Sequence, residues 1–331
     1  MQYDQTTSRL LTMSRWIAPL LLSIAVVPGC GRSAPDSGKP KFGAILMQQD
    51  QFFRLNEAGM TAAAGRLGVE LRVQNAGGAL DKEIALIETF AAQKVAALLI
   101  SPLSATASLP ALERASAAGV RIVIYNNPLP AGFVAADISS DQAALGTTTG
   151  YAAKEFIEHH RGGKARIVVI GFSSQLPEQG FARAVSFKRV VNLLPGAQII
   201  AEQDAWEAPQ AANVVGELLG KNPDVIWAAN EGGTVGAVTA VKNAGKAGRI
   251  AVFGTDISSQ LIDFLLSSDD ILQAVTAQQP IEMGTAAVQA AVKVMRGEPI
   301  EKKQIMPGRL FTREKPEEIR AYQKRLMDAA R

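Results

Sequence analysis

The sequence predicts an α/β protein built as two similar doubly wound parallel-sheet lobes. Three observations carry that expectation. From Lys41 onward, short apolar runs of strand length alternate with helix-length segments, which is the pattern of βαβ units around a parallel sheet. The alternation runs once to about Tyr125 and starts again at Leu145. Nearly every apolar run ends in a carboxylate, amide or hydroxyl side chain. The length of 331 residues is a prior for about two domains.

The elements follow in order. Phe42 to Met47 fits a buried strand, and Phe53 to Leu67 has helical spacing that stops at Gly68. Val69 to Val73 reads as strand, Asp81 to Gln93 as helix and Val95 to Ile100 as strand. Leu109 to Ala118 is a helix ended by Gly119, and Arg121 to Tyr125 is a strand. In the second half Leu145 to His160, Phe181 to Leu194, Ala211 to Gly220 and Val235 to Ala244 read as helices. Arg166 to Ile170, Ile199 to Glu202, Val225 to Ala228 and Ile250 to Phe253 read as the strands between them. Ser101 to Asn127 and Asn230 to Asp256 each span 26 positions, which suggests one plan used twice. Any doubly wound sheet shows such spacings, so the repeat gains weight only beside the other observations. Gln273 to Gln278 is a short strand and Ile281 to Met295 a helix. In the tail, Ile319, Tyr322 and Leu326 share one helix face with Pro316 near its start, as expected of a helix capping a lobe.

Composition excludes several classes. Hydrophobic residues make up 47% and charged residues 20%, an ordinary globular balance. Formal net charge is only +3, and no basic stripe is interleaved with aromatics, so nucleic acid is not an expected partner. The single cysteine, Cys30, rules out an internal disulfide. Arg15 precedes an apolar run from Trp16 to Val27 that is short for a bilayer span and fits the hydrophobic region of a signal peptide. Val27-Pro28-Gly29-Cys30 follows directly and resembles a bacterial lipobox, in which the cysteine becomes the lipidated first residue; Pro28 departs from the usual small residue. The expectation is an exported protein with a signal peptide over residues 1–29, anchored to the membrane through Cys30. Met13 offers a second start with a normal short n-region. Residues 31–40, GRSAPDSGKP, are small, polar and rich in Pro and Gly. They extend the 30–40 tether between anchor and fold.

In open parallel sheets, ligands bind outside the carboxyl ends of the strands. Those ends carry Gln49 and Asp50, Ser101, Asn126 and Asn127, Ser173 and Ser174, Asn230 and Glu231, Asp256, and Gln278. Each hydroxyl of a polyhydroxylated ligand both donates and accepts, so carboxylates, amides and guanidinium groups are its matching partners. The apolar faces of a sugar ring need aromatic walls. Aromatics are only 6% of the chain, yet Phe52, Phe53 and Trp206 lie beside these strand ends. One of Phe52 and Phe53 is expected to serve the core instead.

With those residues in view, the chain resembles the periplasmic sugar-binding proteins of the ribose-binding type, relatives of the ligand domains of LacI-type repressors. The resemblance runs from Lys41 to about Phe311. Its segments are QDQFF at 49–53, AGVRIVIYNNP at 118–128, ISSDQ at 138–142, RAVSF at 183–187, DAW at 204–206, NPDVIWAANEG at 222–232, FGTD at 253–256 and AVTAQQPIEMG at 274–284. It implies a type I periplasmic binding protein that closes on a sugar or sugar-like polyol. It carries the family's pocket onto Asp50, Phe52, Phe53, Asn126, Asn127, Arg183, Trp206, Asn230, Asp256 and Gln278. Arg183 and Asp256 would hold ring and hydroxyl oxygens, with Phe52 or Phe53 stacking on one side and Trp206 on the other. Aldose-binding members often carry Asp-Arg where this chain has Asn126-Asn127, so ribose itself is in doubt. The resemblance also implies a three-crossing hinge near Asp141, Gln278 and Leu310. One lobe would be 41–141 with 279–310, the other 142–278 with 311–331. The implied partner is an ABC permease, with the protein acting as a monomer and needing no cofactor.

Rival functions leave fewer marks. Glu231 and Asp256 could pair as the carboxylates of a glycoside hydrolase, but both suit hydroxyl recognition equally. No G-x-G-x-x-G follows the first strand and no G-x-S-x-G occurs. His159 and His160 are the only histidines; adjacent on a helix they point apart and make a poor metal site. A receptor that feeds a sensor kinase would use the same closing lobes, and stays open beside transport.

Overall fold

The computed structural model describes residues 38–329. Cys30, the apolar run before it and most of the 30–40 tether lie outside the described residues. In chain order the first set of elements is β1 (Lys41–Leu46), α1 (Gln51–Leu67), β2 (Glu70–Asn75), α2 (Leu80–Ala92), β3 (Ala97–Ile100), α3 (Leu109–Ala117), β4 (Arg121–Tyr125) and β5 (Val134–Ser140). The second set is α4 (Gln142–Arg161), β6 (Lys164–Gly171), α5 (Pro177–Val191), β7 (Gly196–Asp204), α6 (Ala208–Leu218), β8 (Val225–Ala228), α7 (Glu231–Asn243), β9 (Ala251–Thr255), α8 (Ser259–Leu266) and β10 (Leu272–Ala277). The chain ends with α9 (Pro280–Met295), β11 (Lys303–Met306), β12 (Arg309–Thr312) and α10 (Pro316–Ala329).

These strands form two six-stranded sheets, ordered β11-β5-β4-β3-β1-β2 and β12-β10-β9-β8-β6-β7. The first five strands of each half share one order, and all their pairings are parallel. Only the last strand differs: β11 joins β5 in parallel, whereas β12 joins β10 antiparallel. Two doubly wound lobes are therefore built on one plan. The chain passes between them three times, between Ser140 and Gln142, between Ala277 and Pro280, and between Met306 and Arg309. The last passage comes before the expected Leu310, because Leu310 is already paired with Thr276 in the second sheet.

Local chemistry explains the element ends. Asp50, Asp141, Asn230 and Ser258 cap α1, α4, α7 and α8 by accepting a first-turn backbone N–H. Proline opens α3, α5, α6 and α9 within their first two positions, where its missing N–H costs nothing. Gly68 and Gly162 close α1 and α4 in the left-handed region, which glycine enters without strain. Central strands are buried on both faces, as parallel sheets require. In β1, Phe42, Ala44 and Leu46 pack with α1 and α9, while Ile45 faces the layer of α2 and α3. In the second lobe, Ile167 and Val169 pack with α4 and α5, and Val168 and Ile170 with α6 and α7. Trp227 stacks on Phe187 with ring centroids 4.4 Å apart and 9° between planes. Ile319, Tyr322 and Leu326 of α10 are buried in the second lobe, where the Tyr322 ring lies 4.9 Å from Phe311.

Four elements escape the sequence pattern. β5 reads VAADISS, whose small and hydroxylated side chains carry no aliphatic run. α8 has eight residues, and β11 and β12 have four each at sheet edges. Short edge strands take their conformation from the sheet beside them.

Candidate functional site

The carboxyl ends of both sheets face one cavity of about 450 Å³, within the usual range for small-molecule sites. From the first lobe come Met47, Gln48, Gln49 and Asp50 after β1, Phe52 and Phe53 at the start of α1, and Asn126 after β4. From the second come Phe172 after β6, Leu176, Gln179 and Arg183 at α5, Trp206 after β7, Asn230 and Glu231 after β8, and Asp256 after β9. Gln278 follows β10, and Gln260 lies on α8. Nine of the ten residues expected from sequence thus line this space; Asn127 does not.

The two lobes offer equivalent residues. Asn126 and Asp256 each follow the fourth strand in the shared order, each has φ in the left-handed region (62° and 72°), and each donates its backbone N–H to the next strand, at Ile138 and Thr276. Asn and Asp tolerate this conformation better than most residues. The 26-residue spacing matches Asn127 with Asp256 instead, one position out of register. Asn127 turns away from the cavity. Its Nδ2 donates to Pro102 O at 2.9 Å and its Oδ1 accepts from Gln179 Nε2 at 2.6 Å, so it bridges the lobes. Gln51 and Ser259 form a second bridge, through Gln51 Nε2 to Ser259 Oγ at 3.3 Å and Ser259 N to Gln51 Oε1 at 3.2 Å. The lobes are closed on the cavity.

Arg183 is the cavity's guanidinium and is 2% exposed. Nε donates to Gln142 Oε1 at 2.7 Å and Nη1 to Ala229 O at 2.8 Å, while Nη1 lies 3.8 Å from Asp256 Oδ2. Its Cζ sits 5.2 Å from the Phe172 ring centroid, a cation–π contact. Burial pulls the Arg183 pKa down and Asp256 opposes the shift. Asp256 accepts from Gln278 Nε2 at 2.8 Å and from Glu231 N at 3.2 Å. Gln278 Oε1 is buried without a partner among the described residues. Glu231 is held up at about 7, chiefly by burial, with Asp256 and Asp50 adding repulsion against a hydrogen bond from Ser258. Asp50 is raised as well, again mainly by burial.

Several expected ligand contacts also serve the fold. Asp50 Oδ1 caps α1 through Phe53 N at 2.9 Å. Asn230 Oδ1 caps α7 through Gly233 N at 3.1 Å, and its Nδ2 holds Trp206 O at 2.9 Å. Of the two phenylalanines, Phe53 is the core member at 2% exposure, packed edge-on against Tyr125, and Phe52 is the half-buried one. Trp206 is half-buried and meets Phe172 edge-on at 5.2 Å. Phe172, Leu176, Gln179 and Gln260 were not expected. Phe172 stands directly after the apolar run of β6, so its position at a strand end was a usable signal. The others stand at helix starts, Leu176 and Gln179 at the start of α5 one to two turns before Arg183 and Gln260 on α8.

Two α/β lobes meet over a polar cavity, and comparison with known proteins gives the family. The periplasmic binding protein domain matches residues 44–299. The chain belongs to that family and is a solute-binding protein of the ribose-binding type, not an enzyme. It is 30% identical over 262 residues to the ABC transporter periplasmic-binding protein YphF of Escherichia coli, covering 76% of this chain and 79% of the relative. It is 26% identical to the ribose import binding protein RbsB of Bacillus subtilis, covering 88% and 97% of the two chains. Among solved structures, a periplasmic solute-binding protein from Actinobacillus succinogenes with bound D-allose superimposes with a TM-score of 0.78 at 25% identity, covering 85% of this chain and all of that one. Periplasmic binding proteins are exported; among the described residues no helix is long and apolar enough to cross a membrane.

Proposed function

We propose that the protein captures a monosaccharide or sugar-like polyol between its lobes and presents the closed form to an ABC permease. The observation that carries this reading is the cavity at the carboxyl ends of both sheets. Asn126, Arg183, Asp256 and Gln278 supply amide, guanidinium and carboxylate groups there, with Phe52 and Trp206 as half-buried aromatic walls. Such groups match the paired donor and acceptor character of sugar hydroxyls. Relatives named for ribose import and a neighbour holding D-allose support the ligand class. A thermal-shift panel of sugars and polyols tests it. A ligand at 100 times its Kd should add roughly 2.7 kcal/mol; a panel with no stabilising member sinks the proposal.

Closure is proposed to turn on the three passages at Asp141, Gln278-Gln279 and Pro307-Gly308, with the lobes moving as units and one chain completing the site. Small-angle scattering should show a smaller radius of gyration with ligand than without. A radius that stays constant on saturation would count against the hinge. We further propose that the mature chain begins at Cys30 and is held to the membrane by its lipid, with residues 31–40 as spacer. Mass spectrometry of membrane-fraction protein should find an acylated Cys30; a soluble mature chain with an unmodified or absent Cys30 would refute this.

A further inference from the structure

The charges around the cavity do not balance. Of the residues that line it, Asp50, Glu231, Asp256 and the exposed Glu207 are carboxylates, against one cation, Arg183. That cation is partly committed: Nε and Nη1 donate to Gln142 and Ala229 and its charge faces Asp256, while no described residue accepts from Nη2. Arg54, the next nearby cation, lies outside the lining set and is exposed; it donates to Gln49 O, and its charge offsets part of the repulsion on Asp50 and Glu231. Two amides add unused acceptors beside the remaining guanidinium N–H groups. Gln278 is 6% exposed, lines the cavity and leaves its Oε1 acceptor unpartnered. Asn126 donates through Nδ2 to Ser101 and Asn127, and its Oδ1 accepts from no described residue. A ligand that satisfies these acceptors brings donors, and positive charge on it would offset the carboxylates.

The imbalance is built across the cleft. Asp50 belongs to the first lobe, Glu231 and Asp256 to the second, and repulsion among the three acts in the closed form. Closing the lobes brings like charges together while removing water, which costs free energy unless a cation lies between them. With a neutral sugar that repulsion is relieved only as far as Glu231, held up at about 7, takes a proton. A protonated amine removes it and donates hydrogen bonds to the available acceptors.

We infer that the natural ligand is a hydroxylated ring or chain bearing a protonated amino group, an amino sugar or amino polyol, with the ammonium placed among Asp50, Glu231 and Asp256. This rests on the sugar-or-polyol reading of the cleft and narrows it. The ligand's hydroxyls meet Arg183 and Asn126, and its ring meets Phe52 and Trp206.

Calorimetric titration of the purified protein with matched probes at neutral pH tests the inference. Pairs that differ in one group suffice: D-glucosamine against D-glucose, D-galactosamine against D-galactose, and an inosamine against its inositol, with each N-acetyl derivative as an uncharged control. The expected result is that at least one amine binds tenfold or more tightly than both its hydroxyl and its N-acetyl partner. In Glu231→Gln that preference should shrink towards parity. Asp50→Asn, which keeps an oxygen to cap α1, should shrink it as well. Hydroxyl members that bind as well as or better than their amines in every pair would overturn the inference while leaving the sugar-or-polyol reading intact. An amine preference that both substitutions leave unchanged would overturn the assigned position. Absence of binding by every member of every pair would overturn the inference and leave the sugar-or-polyol reading to the thermal-shift panel.

Discussion

Arg183→Ala is expected to abolish ligand binding, or to weaken it by a factor of roughly thirty or more, while the chain still folds. Arg183 is 2% exposed and joins three parts of the second lobe: Gln142 at the start of α4, the Ala229 carbonyl after β8, and the Asp256 carboxylate after β9. Removing it leaves the ligand without its guanidinium partner and Asp256 without its counter-charge. Truncating one member of a buried hydrogen-bonded charge pair costs about 2–5 kcal/mol, whereas an exposed ion pair is worth about 0–1 kcal/mol. The Arg183–Asp256 pair itself is loose at 3.8 Å, but the guanidinium is buried and hydrogen-bonded to Gln142 and Ala229, which places its loss towards the larger figure. Asp256→Ala should act in the same direction, since it frees Gln278 Nε2 and the Glu231 backbone N–H as well. Arg183→Lys keeps the charge but lacks the planar fork that serves Gln142 and Ala229 together, so it should fall between the two. The measurement is calorimetric titration with whichever ligand the stability screen returns. Wild-type affinity in both alanine variants would show that these two residues do not hold the ligand.

The same residues show why the site was only partly legible in the sequence. Aliphatic runs such as Ala97–Ile100 and Val225–Ala228 announce central strands, and the residue after each run falls at the sheet's carboxyl edge by geometry alone. That logic reaches Asp50, Asn126, Asn230, Asp256 and Gln278. It cannot decide between Asn126 and Asn127, because the choice depends on a left-handed residue at 126 that turns the next side chain towards Pro102 and Gln179. It also cannot see that Asn230 and Asp50 spend hydrogen-bonding capacity as helix caps, although capping residues have a recognisable spacing. Gln179, Leu176 and Gln260 reach the cavity from helix starts instead of strand ends; Gln179 shares a face of α5 with Arg183 at i−4, a spacing that could have found it. β5 was missed for another reason. Its small polar residues are accommodated between β4 and β11, so neighbouring strands supply what its own sequence lacks.

Gly146→Ala should destabilise the protein and weaken binding together, although alanine is the better helix former. α4 and α5 cross at Gly146, where a Cβ would overlap the Arg183 carbonyl oxygen. Gly150, one turn later, lies against Val190 and Phe187. The first lobe uses the same device: Cβ atoms at Gly59 and Gly284 would strike the carbonyls of Ile281 and Asn56 where α1 and α9 cross. A backbone carbonyl within a helix cannot rotate aside, so the added methyl has to move a whole helix. Overpacking of this kind costs about 1–3 kcal/mol, occasionally more, while replacing a helical glycine by alanine returns roughly 0.5–1 kcal/mol. The net change is a loss, on the order of 2 kcal/mol or less, read as a melting temperature lower by several degrees. Because the displaced carbonyl belongs to Arg183, the guanidinium should move with it and affinity should fall too. Gly65→Ala separates packing from propensity. Gly65 is exposed on α1 with nothing near its missing Cβ, so the same substitution there should leave stability unchanged or raise it by up to about 1 kcal/mol. Thermal melts of both variants and titration of Gly146→Ala decide the matter. If Gly146→Ala melts at or above the wild type, the close approach of α4 and α5 is not what that glycine provides.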